Sequence, residues 1–313
     1  MKSSNIGGQA LIEGIMMRSG DEYSVAVRTP DQKIVVKKEP FKSIVSSKIW
    51  RKIPIVRGVI GFIDSLVVGF GAMFYSASFF DDEPDQKERT KEEKERQERK
   101  DQGALFAVFV AAFAAAILLF VLLPYYASVW IGRFVPSHFA VTLIEAVLRV
   151  VFFMVYLALM THVKDVNRTF MYHGAEHKCI NCIEYGMPLT VGNVMKSSRF
   201  HKRCGTSFLV IVVILSAVIL MFVQTDSRIL RVVFRLILIP VIAGISYELL
   251  QYTGRHDNRL VDLLAKPGIA TQRLTTAEPD AQMVEVAIAA VEEVFDWRAY
   301  LKEEFGTDAG EQE

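Results

Sequence analysis

Long apolar runs alternate with densely polar ones along this chain, and that segregation predicts an integral membrane protein before any motif is read. Four runs, 103–123, 139–163, 206–223 and 232–251, each come near the ~20 residues that a helix needs to cross a bilayer. Pro124 closes the first of them on this reading. A fifth run, 53–80, is long enough to span but is interrupted by Asp64 and by Gly58, Gly61, Gly69 and Gly71. It reads as an amphipathic, re-entrant or spanning helix, with the non-spanning form favoured because spanning would export the domain before it. The fold class that follows is mainly α and integral to the membrane. About four transmembrane helices and one amphipathic or re-entrant helix join a small β-containing domain and a polar loop.

The polar stretches complete the layout. Residues 1–52 form a soluble N-terminal region in which 24–29 and 33–37 are β-rich and Pro30-Asp31-Gln32 reads as the turn of a hairpin. Residues 81–102 are almost wholly charged, a solvated linker. The membrane domain, 103–252, contains a polar loop, 164–205, that carries Lys164, Arg168, Lys178, Lys196, Arg199, Lys202 and Arg203. By the positive-inside rule that loop is cytoplasmic, and four spans put both termini on the same side. In the tail, 253–313, the spacing over 283–291 predicts an amphipathic helix with Asp280 as its N-cap. The opening Met1-Lys2-Ser3-Ser4-Asn5 lacks a basic start followed by an apolar core, so no removable signal peptide is expected.

Composition narrows the partners. The formal net charge is +1, which gives no reason to expect nucleic acid, and the lipid bilayer is the first partner implied. Three cysteines, an odd number, argue against a disulfide framework and fit a reducing compartment. Charges inside apolar runs need partners. Glu145 and Arg149, four apart, neutralise each other on one helix, and Arg235 reads as interfacial.

The chemistry concentrates between positions 162 and 204, which hold four of the six histidines and all three cysteines. His173 and His177 are four residues apart, so on a helix they lie about 40° apart around the axis and can share one divalent ion. Glu176 sits one turn after His173, where a carboxylate can act on a coordinated water. This H-x-x-E-H order is the reverse of the zinc-protease signature. His201 and Cys204 form a second helix-compatible pair, and imidazole with thiolate suits zinc or another divalent metal. Cys182, which completes a C-x-x-C with Cys179, is a further candidate ligand. So is Glu248 near the end of the last span, and Glu184 is a candidate either for ligation or for fixing an imidazole. Three protein ligands would leave the open position of a catalytic zinc; four would close it as a structural one.

Several of these residues carry a resemblance. His173-Gly174-Ala175-Glu176-His177-Lys178, Glu184, His201-Lys202-Arg203-Cys204-Gly205-Thr206-Ser207, Gln272-Arg273-Leu274-Thr275-Thr276 with Glu278-Pro279, and the opening Gly7-Gly8-Gln9-Ala10 resemble the YqhQ-like family of bacterial membrane proteins. The likeness covers nearly the whole chain. That family is described as metal-dependent enzymes, so the resemblance implies a metal site in a multi-pass protein of the bacterial cell membrane, and carries no substrate with it. The chain departs from the family pattern at Lys202, where proline is usual, and at Cys179, which is left out of the ligand set.

Two functions fit. One is a zinc-dependent membrane enzyme of hydrolase or peptidase type at the cytoplasmic face, with Glu176 activating water. The other is a non-enzymatic scaffold with a structural metal site, acting through protein partners such as insertion or quality-control machinery. The spans hold too few polar residues to line a transport path.

Overall fold

A computed structural model describes residues 2–80 and 107–306, apart from positions 46, 48, 109, 224, 226 and 257. The charged stretch 81–102 lies outside the described residues. The chain divides into two compact units, one built from Met1–Phe80, Tyr156–Leu215 and Ile239–Glu313, the other from Asp81–Val155 and Ser216–Leu238.

The first unit opens with four antiparallel strands in sequential order, β1 (Gly7–Leu11), β2 (Gly14–Ser19), β3 (Glu22–Arg28) and β4 (Ile34–Pro40). The hairpin expected from the sequence is therefore half of a larger meander. The two additional strands fall in 7–19, where glycines mixed with short apolar runs suggest strand and turn in the sequence but do not show how the strands pair. The sheet is buried on both faces, with period-two alternation. Ala10, Ile15, Met17 and Ala26 face one core, while Leu11, Met16, Val25 and Val27 face another.

Helices cover both faces. α1 (Val56–Ala77) places Val68, Ala72 and Met73 against the Leu11 face. On the opposite face lie α4 (Lys164–Glu184) and α9 (Ala281–Val294), which contribute Ala175, Ile180 and Ile183, and Met283, Ala287 and Val291. α9 begins at Asp280, whose carboxylate accepts from the Met283 N–H at 2.8 Å. α5 (Val191–Lys196), α8 (Arg259–Thr275) and α10 (Trp297–Phe305) complete the unit. Burying one Ile or Met side chain in such a core is worth about 1.5–3 kcal/mol, so this apolar contact, not strand pairing alone, holds the sheet to α4.

Among the described residues five helices are long and apolar enough to cross a bilayer: Val56–Ala77, Val110–Ile131, Phe139–Met160, Gly205–Phe222 and Val232–Thr253. They belong to α1, α2 (Val110–Ile131), α3 (His138–Met160), α6 (Gly205–Phe222) and α7 (Arg228–Arg255). Contrary to the sequence reading, Pro124 does not end α2. The helix widens to a π-turn at Leu118–Leu122 and continues to Ile131. A proline removes the N–H that would bond the carbonyl four residues back. That carbonyl, Phe120 O, accepts instead from Arg149 Nε at 3.2 Å. The second unit also corrects the reading of Arg235, which is buried rather than interfacial. Glu145 accepts from Arg149 at 2.9 Å through Oε1 and from Arg235 at 2.6 Å through Oε2.

Candidate metal centre

α4 is polar by composition yet buried along its second half. Tyr172 and every residue from Gly174 to Glu184 are buried. Each polar side chain there needs a partner, and the partners shape the site. Lys178 donates from Nζ to the carbonyls of Met195 and Ser197, both at 2.9 Å, and pairs with Glu278. Asn181 donates to the carbonyls of Ser198 (2.6 Å) and Phe200 (2.9 Å). These contacts fasten segment 195–204 along the helix and deliver Cys204 to the first imidazole.

Gly174 admits a second segment. A Cβ there would collide with the carbonyl of Ala277, so only glycine lets residues 275–279 pass so close to the helix backbone. Ala277 N–H donates to Phe170 O at 2.9 Å, and two residues earlier the carbonyl of Thr275 lies 2.8 Å from His173 Nδ1. His177 Nδ1 meets the carbonyl of Arg199 at 2.7 Å. A carbonyl only accepts, so Nδ1 carries a proton in both rings, and Nε2 of each is the atom left for a metal.

Three donors converge. His173 Nε2 lies 3.2 Å from Cys204 Sγ, the two imidazole centroids are 4.4 Å apart, and the ligand atoms of His173, His177 and Cys204 all lie within 4.8 Å of one another. Zinc at ~2.0 Å from nitrogen and ~2.3 Å from sulfur separates tetrahedral donors by roughly 3.3–3.8 Å. The observed set fits with small adjustments. Burial alone would raise the Cys204 thiol, but His173 and His177 outweigh it and hold the thiol well below its ordinary range. Burial likewise opposes protonation of His173, yet the Cys204 sulfur and Glu176 push it up to about 9. Sulfur beside imidazole is thus stable as thiolate, the form that binds metal.

The remaining candidates separate cleanly. Glu176 is buried, and its Oε1 accepts from the Gly8 N–H of β1 at 3.0 Å. A Cβ on Gly8 would stand 2.5 Å from Met16 O and 3.1 Å from the Glu176 Cγ, so glycine permits this approach. His201, placed in the ligand set by the sequence, is not in the converging group. Its Nε2 meets Glu184 at 3.1 Å and its Nδ1 accepts from the Arg203 N–H at 3.3 Å, so both nitrogens are in use. Burial and the nearby His177 push it down to about 4, which keeps it neutral.

Glu184 lies outside the converging set and joins several groups. Its Oε1 accepts from Ser4 N and Ser4 Oγ, each at 2.8 Å, and from Arg203, while Oε2 meets His201. Glu248 also lies outside the converging set and pairs with Arg57, whose Nε donates at 2.6 Å. Cys182 points its thiol at the carbonyl of Pro188 (3.4 Å) within the apolar core, and burial raises it to about 11. Cys179 is buried in the same core and raised further, again by burial.

Sequence reasoning missed Gly8, Ser4, Arg199, Gln272 and Thr275 as parts of this region. Gln272 brackets His201, accepting from its backbone N–H at 2.9 Å and donating to its carbonyl at 2.7 Å. The motifs Gly7-Gly8-Gln9-Ala10 and Gln272–Thr276 had pointed to some of these positions by resemblance, without a physical reason. The reason is now visible.

Fold and site together define a class: a chain with, among the described residues, five bilayer-length apolar helices and a largely buried two-histidine, one-cysteine cluster beside a carboxylate. The chain belongs to the family described as "Protein of unknown function (DUF1385)", whose profile matches residues 53–297. It is similar to "Uncharacterized protein YqhQ" of Bacillus subtilis (strain 168), with 34% identity over 290 residues, 92% of this chain and 91% of the relative. No solved structure matches it. All three converging donors lie inside the matched segment, whereas Gly8 and Ser4 lie before it.

Proposed function

We propose that the protein is a metal-dependent membrane enzyme of the hydrolase class, using zinc or another divalent ion held by His173, His177 and Cys204 at the cytoplasmic face of the bacterial cell membrane. The observation that carries this reading is the donor count. Among the described residues three ligand atoms converge, not four, and three is the number that leaves a position for water or substrate. An ion bound there supplies Lewis-acid polarisation of a substrate carbonyl or phosphoryl oxygen and acidifies a coordinated water.

The chain's own residues supply the rest. The carbonyls of Thr275 and Arg199 orient the two imidazoles. Gly8 N–H fixes one oxygen of Glu176, which leaves the other to take a proton from the attacking water and return it to the leaving group. The basic loop 164–205 supports a cytoplasmic site with both termini on that side.

A structural clamp is the second reading, and burial favours it: His177 is 1% exposed and Cys204 2%. Such a protein would act through membrane-protein partners. Metal analysis of purified protein and of Glu176→Gln separates the two. The enzyme reading expects one ion per chain in both, with a loss of about 10²–10⁴ in turnover or in complementation for the variant. Full complementation by Glu176→Gln rejects it and leaves the clamp.

A further inference from the structure

The segment between β4 and the middle of α1 is built as a hairpin. At its neck, the Asp64 carboxylate accepts from Ser43 Oγ at 2.6 Å and from the Ile44 N–H at 2.8 Å. From Ile44 the chain runs out through the 3₁₀ turn Trp50–Lys52 and reverses at Pro54-Ile55. There Ile55 holds φ at 68°, rare for a β-branched residue. α1 then returns to Asp64. The tip is seated on α7: a Cβ on Gly244 would meet Ile55 O at 2.6 Å, and one on Gly58 would meet Gly244 O at 2.6 Å. Gly61 faces the Tyr247 ring, so α1 and α7 run side by side in the same direction.

The two halves of α1 then lie in different surroundings. Its first half follows the end of an apolar helix, whereas its second half packs on the sheet through Val68, Gly69 and Ala72. A spanning α1 would carry that sheet into hydrocarbon, together with its exposed Lys37–Glu39 and Lys38–Glu22 pairs. From Gly244 to the end of the apolar stretch at Thr253 is roughly 14 Å at 1.5 Å per residue, less than half of a ~30 Å core. The hairpin reaches one leaflet only.

Its composition names the occupant. Ile44, Ile49, Trp50, Ile53 and Ile63 are 40–72% exposed. Between Phe41 and Ile63 the sequence holds Lys42, Lys48, Arg51 and Lys52, besides Arg57 which pairs with Glu248, and no acidic residue. Exposed isoleucine and tryptophan in a stretch of sequence with net positive charge suit the boundary of an anionic bilayer. We propose that residues 43–64 form a basic re-entrant wedge that docks into the leaflet on the sheet's side of the membrane, held by anionic phospholipid, and that α1 does not cross. The inference is independent of the metal reading.

The test uses the full chain, whose native cysteines are all buried. Asp31→Cys and Glu95→Cys, in sealed vesicles of phosphatidylglycerol and phosphatidylethanolamine, are treated with an impermeant maleimide. A wedge expects both positions to label from the same side; a spanning α1 expects opposite sides and overturns the proposal. A nitroxide on Ile53→Cys is then compared for collision with oxygen and with a water-soluble nickel chelate. Oxygen should dominate, and replacing phosphatidylglycerol by phosphatidylcholine should shift the balance toward the chelate. Free chelate access in anionic vesicles, or shielding from both probes, overturns the proposal. Trp50→Cys repeats the measurement should the Ile53 variant fail to accumulate.

Discussion

Two of the places where the molecule buries charge-bearing groups are built differently. In the second unit the Glu145 carboxylate lies between two guanidiniums. Arg149 spends its other donors on Phe120 O and on Ser216 Oγ at 3.1 Å, and Arg235 stacks 4.3 Å over the Tyr125 ring. Donors there meet acceptors. In the first unit His173, His177 and Cys204 turn atoms that can bind a metal toward one another, while Nδ1 of each imidazole is tied to a carbonyl behind it. With no ion bound, a proton between His173 Nε2 and the Cys204 thiolate holds that pair, and a cation would displace it and gather all three atoms. A satisfied ion pair needs nothing further.

Breaking either cluster should expose that difference. The largest effect is expected at the histidine–cysteine cluster: Cys204→Ser or His177→Ala should reduce bound metal from one per chain to background by elemental analysis, and stoichiometric metal in both variants would refute the ligand assignment. Next comes Glu145→Leu, which strands two buried guanidiniums and should destabilise by about 3–5 kcal/mol in denaturant titration of detergent-solubilised protein. Replacing all three as Glu145→Leu, Arg149→Met and Arg235→Met should recover most of that loss. Failure to recover would mean the trio does more than neutralise itself.

A smaller effect is expected from pH. His201 lies lower in the folded state, at about 4, than its ordinary 6.5, because burial and His177 disfavour its charge. The unfolded chain therefore binds the extra proton first, and this stability is full above pH 6.5 and drains away as pH falls toward 4. Thermal midpoints measured across that window should decline less in His201→Asn; equal slopes would remove His201 as the cause. The smallest expected signal is chemical. Cys179 and Cys182 should resist alkylation in the native protein, and Cys204 should gain reactivity once a chelator is present. Prompt modification of Cys182 would contradict its place in the core.

How much of this was legible follows from where each signal resides. Apolar runs and the His173–His177 spacing are local, so helices and a candidate site could be read directly. The β3–β4 turn was readable from Pro30-Asp31-Gln32 for the same reason. Pro124 misled because its lost hydrogen bond is replaced by Arg149, 25 residues on. His201 misled because spacing cannot show that Glu184 and Arg203 occupy both of its nitrogens. Ser4 reaches Glu184 across 180 residues, and nothing in either neighbourhood announces it. Long-range polar pairing has no period, so a sequence pattern does not carry it.

The imidazoles take their orientation from main-chain oxygens, at Thr275 and Arg199, and not from carboxylate or amide side chains. An alanine scan would be blind to this, because every substitution at those two positions keeps the oxygen in place. What the arrangement does feel is displacement of the peptide itself, by bulk added at Gly174 or by loosening of the strap that Lys178 and Asn181 hold. Tuning at a distance would therefore reach the centre as movement of the backbone, without any change in the groups that touch the rings.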